Sequence, residues 1–86
     1  MRKDAYYTIA FNSTHSAVAA EKYLGEKINA AVMPTLRKIS ASCGISLRIE
    51  TEDFERLKEL LNENQQIKES CHVYLAENDE VYPVDI

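Results

Sequence analysis

The chain of 86 residues contains no tryptophan, only two glycines and two prolines, and no apolar run of bilayer-spanning length. So little glycine and proline excludes collagen-like and low-complexity architectures, which require these residues in quantity. Two cysteines are too few for a disulfide-stapled secreted scaffold, and no charged-then-apolar leader is visible. We therefore expect a cytoplasmic protein with reduced thiols.

An excess of positive charge is also missing. The formal net charge is −4 and the isoelectric point is near 5.1, whereas a general nucleic-acid binder needs a basic face that displaces counterions. Arg37 and Lys38 are thus a local cationic feature of an acidic protein, which suits a small anion better than a polyanion. We expect neither a nucleic-acid partner nor a membrane partner.

The length allows one domain over residues 1–86, with its core at about 5–75 and a C-terminal hairpin or tail at 76–86. The apolar fraction of 45% is that of an ordinary globular protein. A core this small is marginally stable. A homodimer would be one way to bury more surface.

Alternation of apolar and polar residues predicts strands over 5–11, 30–33, 45–49 and 71–75, and Pro83 confines a short fifth strand at 81–86 to an edge. Helical spacing of apolar residues predicts a helix from about 14 to 27 and a second one after Thr51. This order predicts an α+β, ferredoxin-like split βαβ sandwich. Both helices would cover one face of the sheet. The other face would stay open as a dimer surface or a half-solvated face, and it would carry Tyr6, Thr8, Arg48, His72 and Tyr74.

The segment 34–45 combines cations, small hydroxyl side chains and a thiol, and the predicted topology gives it neighbours. The third strand should lie between the first two and antiparallel to both, so the segment would lie beside Ser13, Thr14 and His15 at the start of the first helix. A helix N-terminus offers unpaired N–H donors and a partial positive charge. Beside it, or beside Arg37 or a protonated His15, the pKa of the Cys43 thiol would fall and the nucleophilic thiolate would form.

These residues define a candidate site with Cys43 and His15 in the reactive roles. The candidate substrate-binding residues are Ser13, Thr14, Arg37, Ser40, Ser42 and Gly44. Each also has an ordinary interpretation, such as a helix cap, a solvated charge or a small buried thiol. It is their convergence on one edge that favours a site.

Other chemistries find less support in the sequence. Cys71 has the inward parity of Val73 and Leu75, which favours core packing over a role as resolving thiol. A metal site is not expected, because no CxxC or HxxxH spacing occurs, and no cofactor is expected.

Two blocks, residues 11–17 (FNSTHSA), followed by Glu21 and Leu24, and residues 33–44 (MPTLRKISASCG), carry a resemblance. They resemble the selenium/sulfur carrier-like family, and the similarity extends over roughly 6–74. That family commonly has Pro-Thr-Pro-Arg in the second block, where Leu36 replaces the second proline here, and Cys71 is not part of its pattern. The resemblance implies a carrier that holds sulfur or selenium on Cys43 and exchanges it with donor and acceptor proteins.

Three hypotheses follow. The first is this non-enzymatic carrier, in which Ser13, Thr14 and His15 contact the bound atom and Arg37 offsets its charge. The second is a small anion-binding or regulatory module in which Cys43 only packs. The third is a dimerisation domain that uses the open face of the sheet.

Overall fold

The computed structural model of the protein describes residues 5–39, 44–78 and 80–85. Within these ranges the chain forms strands, α-helices and one short 3-10 turn. In chain order they are β1 (Tyr6–Phe11), α1 (Thr14–Gly25), β2 (Ala30–Pro34), β3 (Ile45–Glu50), the 3-10 turn (Thr51–Asp53), α2 (Phe54–Glu63), α3 (Gln65–Glu69), β4 (Cys71–Glu77) and β5 (Glu80–Val84).

The strands form one five-stranded antiparallel sheet in the order β2-β3-β1-β4-β5. The α+β class is confirmed, and β3 lies between β1 and β2 and antiparallel to both, as predicted. β5 lies at the edge where Pro83 was expected to confine it, because proline cannot donate a ladder hydrogen bond. The short fifth strand predicted at 81–86 corresponds to β5, Glu80–Val84.

The second helix, predicted to end within residues 62–66, corresponds to α2, and Asn64 separates it from the short α3, which was not predicted. This residue has non-helical backbone angles (φ −130°, ψ 86°), and its side-chain Oδ1 accepts a hydrogen bond of 3.2 Å from the N–H of Ile67. Asparagine side chains compete for backbone donors in this way and so favour helix caps over helix interiors. None of the helices within the described ranges is long and apolar enough to cross a membrane.

The helices cover one face of the sheet and form the main core with it. Tyr7 and Phe54 stack at this face with their ring centroids 4.1 Å apart, and the Tyr23 hydroxyl donates to the carbonyl oxygen of Leu60 at 3.2 Å, joining α1 to α2. The buried members of this core are Ile9, Phe11, Ala17, Ala20, Leu24, Leu47, Ile49, Leu57, Leu60, Leu61, Ile67, Cys71 and Val73.

The expectation that the other face stays open is wrong at the centre of the sheet. Thr8, Ala10 and Ser46 belong to that face, yet each is 0% exposed. The Thr35 and Ser46 hydroxyl oxygens are 2.7 Å apart on this face, and the Thr8 hydroxyl donates to Met33 Sδ of β2 at 3.7 Å. Ile39, in the loop that follows β2, is 5% exposed without belonging to the helix-side core. The loop contains apolar residues that gain free energy by leaving water, and this part of the sheet is where they can do so.

Among the described residues of that face, the accessible ones lie at its margin. Tyr6, Arg48 and Tyr74 are half-buried there, and His72 is exposed. A dimer surface on this face would therefore be limited to the rim.

Candidate functional site

The N-terminus of α1 is closed by Ser13 acting as the N-cap. Its backbone is extended (φ −153°, ψ 160°), and its Oγ accepts a hydrogen bond of 3.1 Å from the N–H of Ser16. Serine at this position satisfies one of the unpaired amide donors of the first turn. Thr14 and His15 follow on the first turn and are exposed to solvent. The helix end thus presents hydroxyl and imidazole groups around partly positive amides.

The loop between β2 and β3, residues 35–44, is fastened where it leaves and rejoins the sheet. Thr35 donates its N–H to the carbonyl oxygen of Gly44 at 3.0 Å, which continues the ladder beyond the Pro34–Ile45 pair. Further along the loop, Ile39 donates its N–H to the carbonyl oxygen of Leu36 at 3.0 Å. The loop therefore has a closed base.

Gly44 itself is exposed and shows no special conformational requirement. It does not have a positive φ, and a Cβ atom added there would meet nothing within 4 Å. Its assignment as a candidate substrate-binding residue stays a prediction.

Three of the predicted site residues, Ser40, Ser42 and Cys43, lie outside the described residues. Gly44, the next residue after the candidate carrier thiol, is the described residue that lies nearest to it in the sequence.

The strand register brings the start of α1 and the base of the loop to one end of the sheet. Ala10 pairs with Ser46 in β3, and Phe11 pairs with Cys71 in β4. Ser13 follows two residues after Phe11, and Gly44 precedes Ser46 by two residues on the neighbouring strand. The predicted shared edge thus exists for Ser13, Thr14, His15 and Gly44.

Arg37 lies elsewhere. It lines a cleft together with Tyr6 and Ala76, which pair with each other at the far end of β1. At a rise of about 3.4 Å per residue, Tyr6 and Phe11 are separated by roughly 17 Å. The structure therefore does not bring Arg37 to the N-terminus of α1, because residues 35–38 lead from Ser46 toward Tyr6.

The cleft is about 690 Å³ in volume and opens to solvent beside the β4–β5 hairpin. Its residues come from β1, the β2–β3 loop and the hairpin. They are Tyr6, Leu36, Arg37, Lys38, Ala76, Glu77, Asn78, Glu80 and Val81. Sequence analysis missed this cleft, and the only signal for it was the presence of two apolar residues, Leu36 and Ile39, in an otherwise polar loop.

Two ionic contacts organise this end of the sheet. The Arg48 guanidinium lies over the Tyr6 ring, 4.1 Å from its centroid, and its Nε donates to Glu50 Oε2 at 2.9 Å. Lys38 Nζ is 3.9 Å from Glu80 Oε1, with both side chains more than half exposed. Such an exposed pair contributes little free energy, but it shows that the loop reaches β5.

Cys71 is a buried thiol of the core, as its parity predicted. Burial raises the pKa of Cys71 from 9.0 to about 11, an effect that the nearby Lys68 ammonium only partly offsets. Its Sγ lies 3.6 Å from the carbonyl oxygen of Lys68. A thiol with so high a pKa is a poor nucleophile at neutral pH, and β1 separates its strand from β3.

A metal centre finds no ligand cluster. Within residues 5–39, 44–78 and 80–85, no group of three or more histidine, cysteine, aspartate or glutamate side chains is positioned to hold an ion.

Comparison with protein families gives a match, over residues 6–73, to the family described as "Putative Se/S carrier protein-like". The match covers most of the chain, including the start of α1 and the whole β2–β3 loop, so the chain belongs to this family. Comparison with curated proteins and with solved structures finds no match.

Proposed function

We propose that the protein is a carrier that accepts a sulfur or selenium atom on Cys43 and delivers it to a partner protein. The observation that carries the proposal is family membership over a range that includes Cys43. The base of the loop supports it, because the Thr35–Gly44 hydrogen bond fixes the chain immediately beyond Cys43.

The proposed loading step is an exchange between chalcogen atoms. The Cys43 thiolate attacks the terminal sulfur of a donor protein's persulfide, forming a new S–S bond. The donor's own S–S bond breaks, and its cysteine leaves with the electron pair as a thiolate. No net oxidant is consumed, and delivery to the acceptor repeats the same exchange in the opposite sense. Selenium would follow the same course.

Cys43 is the better candidate of the two cysteines for this step. A carrier thiol must be largely ionised near neutral pH, since the thiolate is the attacking species. The raised pKa of Cys71 works against that requirement. Cys43 also belongs to the block that carries the family resemblance, which Cys71 does not.

Groups at the start of α1 are proposed to stabilise the bound anion. A persulfide or perselenide is negatively charged, and hydrogen bonds from Ser13, Thr14 and His15, together with the helix dipole, would favour it. Gly44 occupies the same end of the sheet as these residues. Ser40 and Ser42 precede Cys43 closely in the sequence and are proposed as further donors. Arg37, which lines the distant cleft, is not included.

The test is a transfer assay read by intact mass. The wild type, Cys43→Ala and Cys71→Ala are incubated with a cysteine desulfurase and L-cysteine. A gain of one sulfur atom is expected on the wild type and on Cys71→Ala, and no gain on Cys43→Ala. Absence of a gain on the wild type with equimolar donor, or a gain that persists in Cys43→Ala, would contradict the proposal.

The finer structural and cellular assignments are also proposals. We assign the domain to the ferredoxin-like class, supported by the order β2-β3-β1-β4 of its first four strands. We further propose a cytoplasmic location, where thiols remain reduced, and donor and acceptor proteins as its partners. A homodimer remains a proposal as well, and light scattering of the purified protein tests it.

A further inference from the structure

The residues that line the cleft beside the β4–β5 hairpin carry both charges. The loop contributes Arg37 and Lys38, and the hairpin contributes Glu77 and Glu80. Lys38 Nζ and Glu80 Oε1 are 3.9 Å apart, so the two groups of charges approach each other there. All four side chains are exposed. A lining with both signs is complementary to a molecule that carries both signs.

Part of this charge has no partner within the protein. Among the described residues, Arg37 and Glu77 form no ion pair and no side-chain hydrogen bond, while Lys38 Nζ and Glu80 Oε1 are in an exposed contact of 3.9 Å. A ligand could therefore pair with Arg37 and with either carboxylate without breaking a strong internal interaction.

The cleft also has apolar lining residues. Leu36 and Val81 are half-buried there, Ala76 is buried, and the ring of Tyr6 closes one side under the Arg48 guanidinium. A volume of about 690 Å³ is within the range of roughly 300–1,000 Å³ that is typical of small-molecule sites. An apolar floor with a few charged groups around it is the usual composition of such sites.

We propose that this cleft binds a zwitterionic ligand of the amino-acid or dipeptide class that has an apolar side chain. The ligand carboxylate would accept hydrogen bonds from Arg37, whose forked guanidinium matches a carboxylate. The ammonium group would donate to Glu77 or Glu80. The side chain would lie on Leu36, Ala76 and Val81.

This site is separate from the start of α1 and Gly44, the described residues to which the carrier function is assigned. The cleft lies at the end of the sheet opposite the start of α1, since Tyr6 and Phe11 terminate opposite ends of β1. Ligand binding is therefore expected to be unchanged in Cys43→Ala. That variant distinguishes a failure of this inference from a failure of the carrier function.

The experiment is calorimetry with matched probes, supported by amide chemical-shift mapping. L-leucine and the dipeptide leucyl-leucine are compared with N-acetyl-leucine, which lacks the ammonium, and with leucine amide, which lacks the carboxylate. Because each lost contact is with an exposed charge, worth up to about fivefold in affinity, L-leucine should bind up to about fivefold more tightly than either derivative. The largest shifts should map to residues 36–38 and to β5.

Variants test which cleft residues pair with the ligand's carboxylate and which pair with its ammonium group. Arg37→Gln should weaken L-leucine binding to the level of leucine amide, and the double variant Glu77→Gln/Glu80→Gln should remove the preference over N-acetyl-leucine. Arg56→Gln and Glu63→Gln/Glu69→Gln alter exposed charges on the helices and should leave binding unchanged. The inference is overturned if neither L-leucine nor leucyl-leucine binds. It is also overturned if Arg37→Gln and Glu77→Gln/Glu80→Gln bind like these controls, or if the chemical-shift changes map to α1.

Discussion

The hydroxyl oxygens of Thr35 and Ser46 lie 2.7 Å apart at the base of the β2–β3 loop. Ser46 is fully buried on the sheet face opposite the helices. The contact therefore attaches the first residue after β2 to the centre of a face that would otherwise be exposed. It marks the point from which the loop turns across the sheet.

A double-mutant cycle measures this contact. We expect Thr35→Val and Ser46→Ala to couple by about 1 kcal/mol in the free energy of unfolding, the usual net value of a hydrogen bond between neutral groups. Urea unfolding of the wild type, both single variants and the double variant gives the coupling. Losses that add to within about 0.3 kcal/mol would show that the contact contributes nothing.

Residue alternation was sufficient to predict which side chains of the sheet face the helices. With the strand order, it also predicted that the start of α1 lies near the base of the β2–β3 loop. Ile9, Phe11, Leu47 and Ile49 point toward the helices because a strand places every second side chain on the same face. The antiparallel arrangement of β1 and β3 then determines which strand ends meet. The placement of Ser13 near the base of the loop followed from these two rules.

The path of the loop could not be predicted in the same way. Alternation describes residues within a ladder and contains no information on the direction of a connection that leaves it. Arg37 was therefore expected near Ser13 and is found near Tyr6 instead. The path of the loop shows in two features, the burial of Ile39 and the Lys38–Glu80 contact, and both depend on tertiary structure.

Burial of Ile39 gives a second prediction. Because its side chain is 5% exposed, Ile39→Ala should lower the free energy of unfolding by about 2–4 kcal/mol, as expected for a truncated core residue. Val32, which is 57% exposed on β2, provides the control, and Val32→Ala should cost less than about 0.5 kcal/mol. Equal effects of the two substitutions in urea unfolding would show that the loop does not pack on the sheet.

A third prediction concerns the reactivity of Cys71. In Cys43→Ala it is the only remaining cysteine. A pKa of about 11 instead of 9.0 reduces the thiolate fraction near pH 8 by about 100-fold, and burial slows access further. Alkylation by iodoacetamide should therefore be at least about 100-fold slower in the folded protein than in urea. Similar rates in the two states would contradict the buried environment.

The same thiol should make stability depend on pH in the alkaline range. The folded-state pKa of Cys71 is raised, so the unfolded chain loses this proton first as pH increases. The stabilising contribution is complete below pH 9 and is lost as pH rises toward about 11. Between pH 9 and pH 10 the loss should be about 1 kcal/mol. Chemical unfolding of the wild type and of Cys71→Ala isolates this loss, because all other groups titrate equally in the two proteins. Parallel pH profiles of the free energy of unfolding would show that the Cys71 thiol does not cause it.

The last prediction separates the structural role of Ser13 from its proposed chemical role. Ser13→Ala removes the cap and should cost about 1 kcal/mol of stability, whereas Ser13→Asn and Ser13→Asp keep a capping oxygen and should be close to the wild type. Sulfur loading should rank the variants differently. The negative charge of Ser13→Asp opposes a persulfide anion near the helix end, so this variant should load poorly although it is stable, and Ser13→Asn should load well. If loading instead follows stability through the series, Ser13 serves only as a helix cap and the anion is held elsewhere.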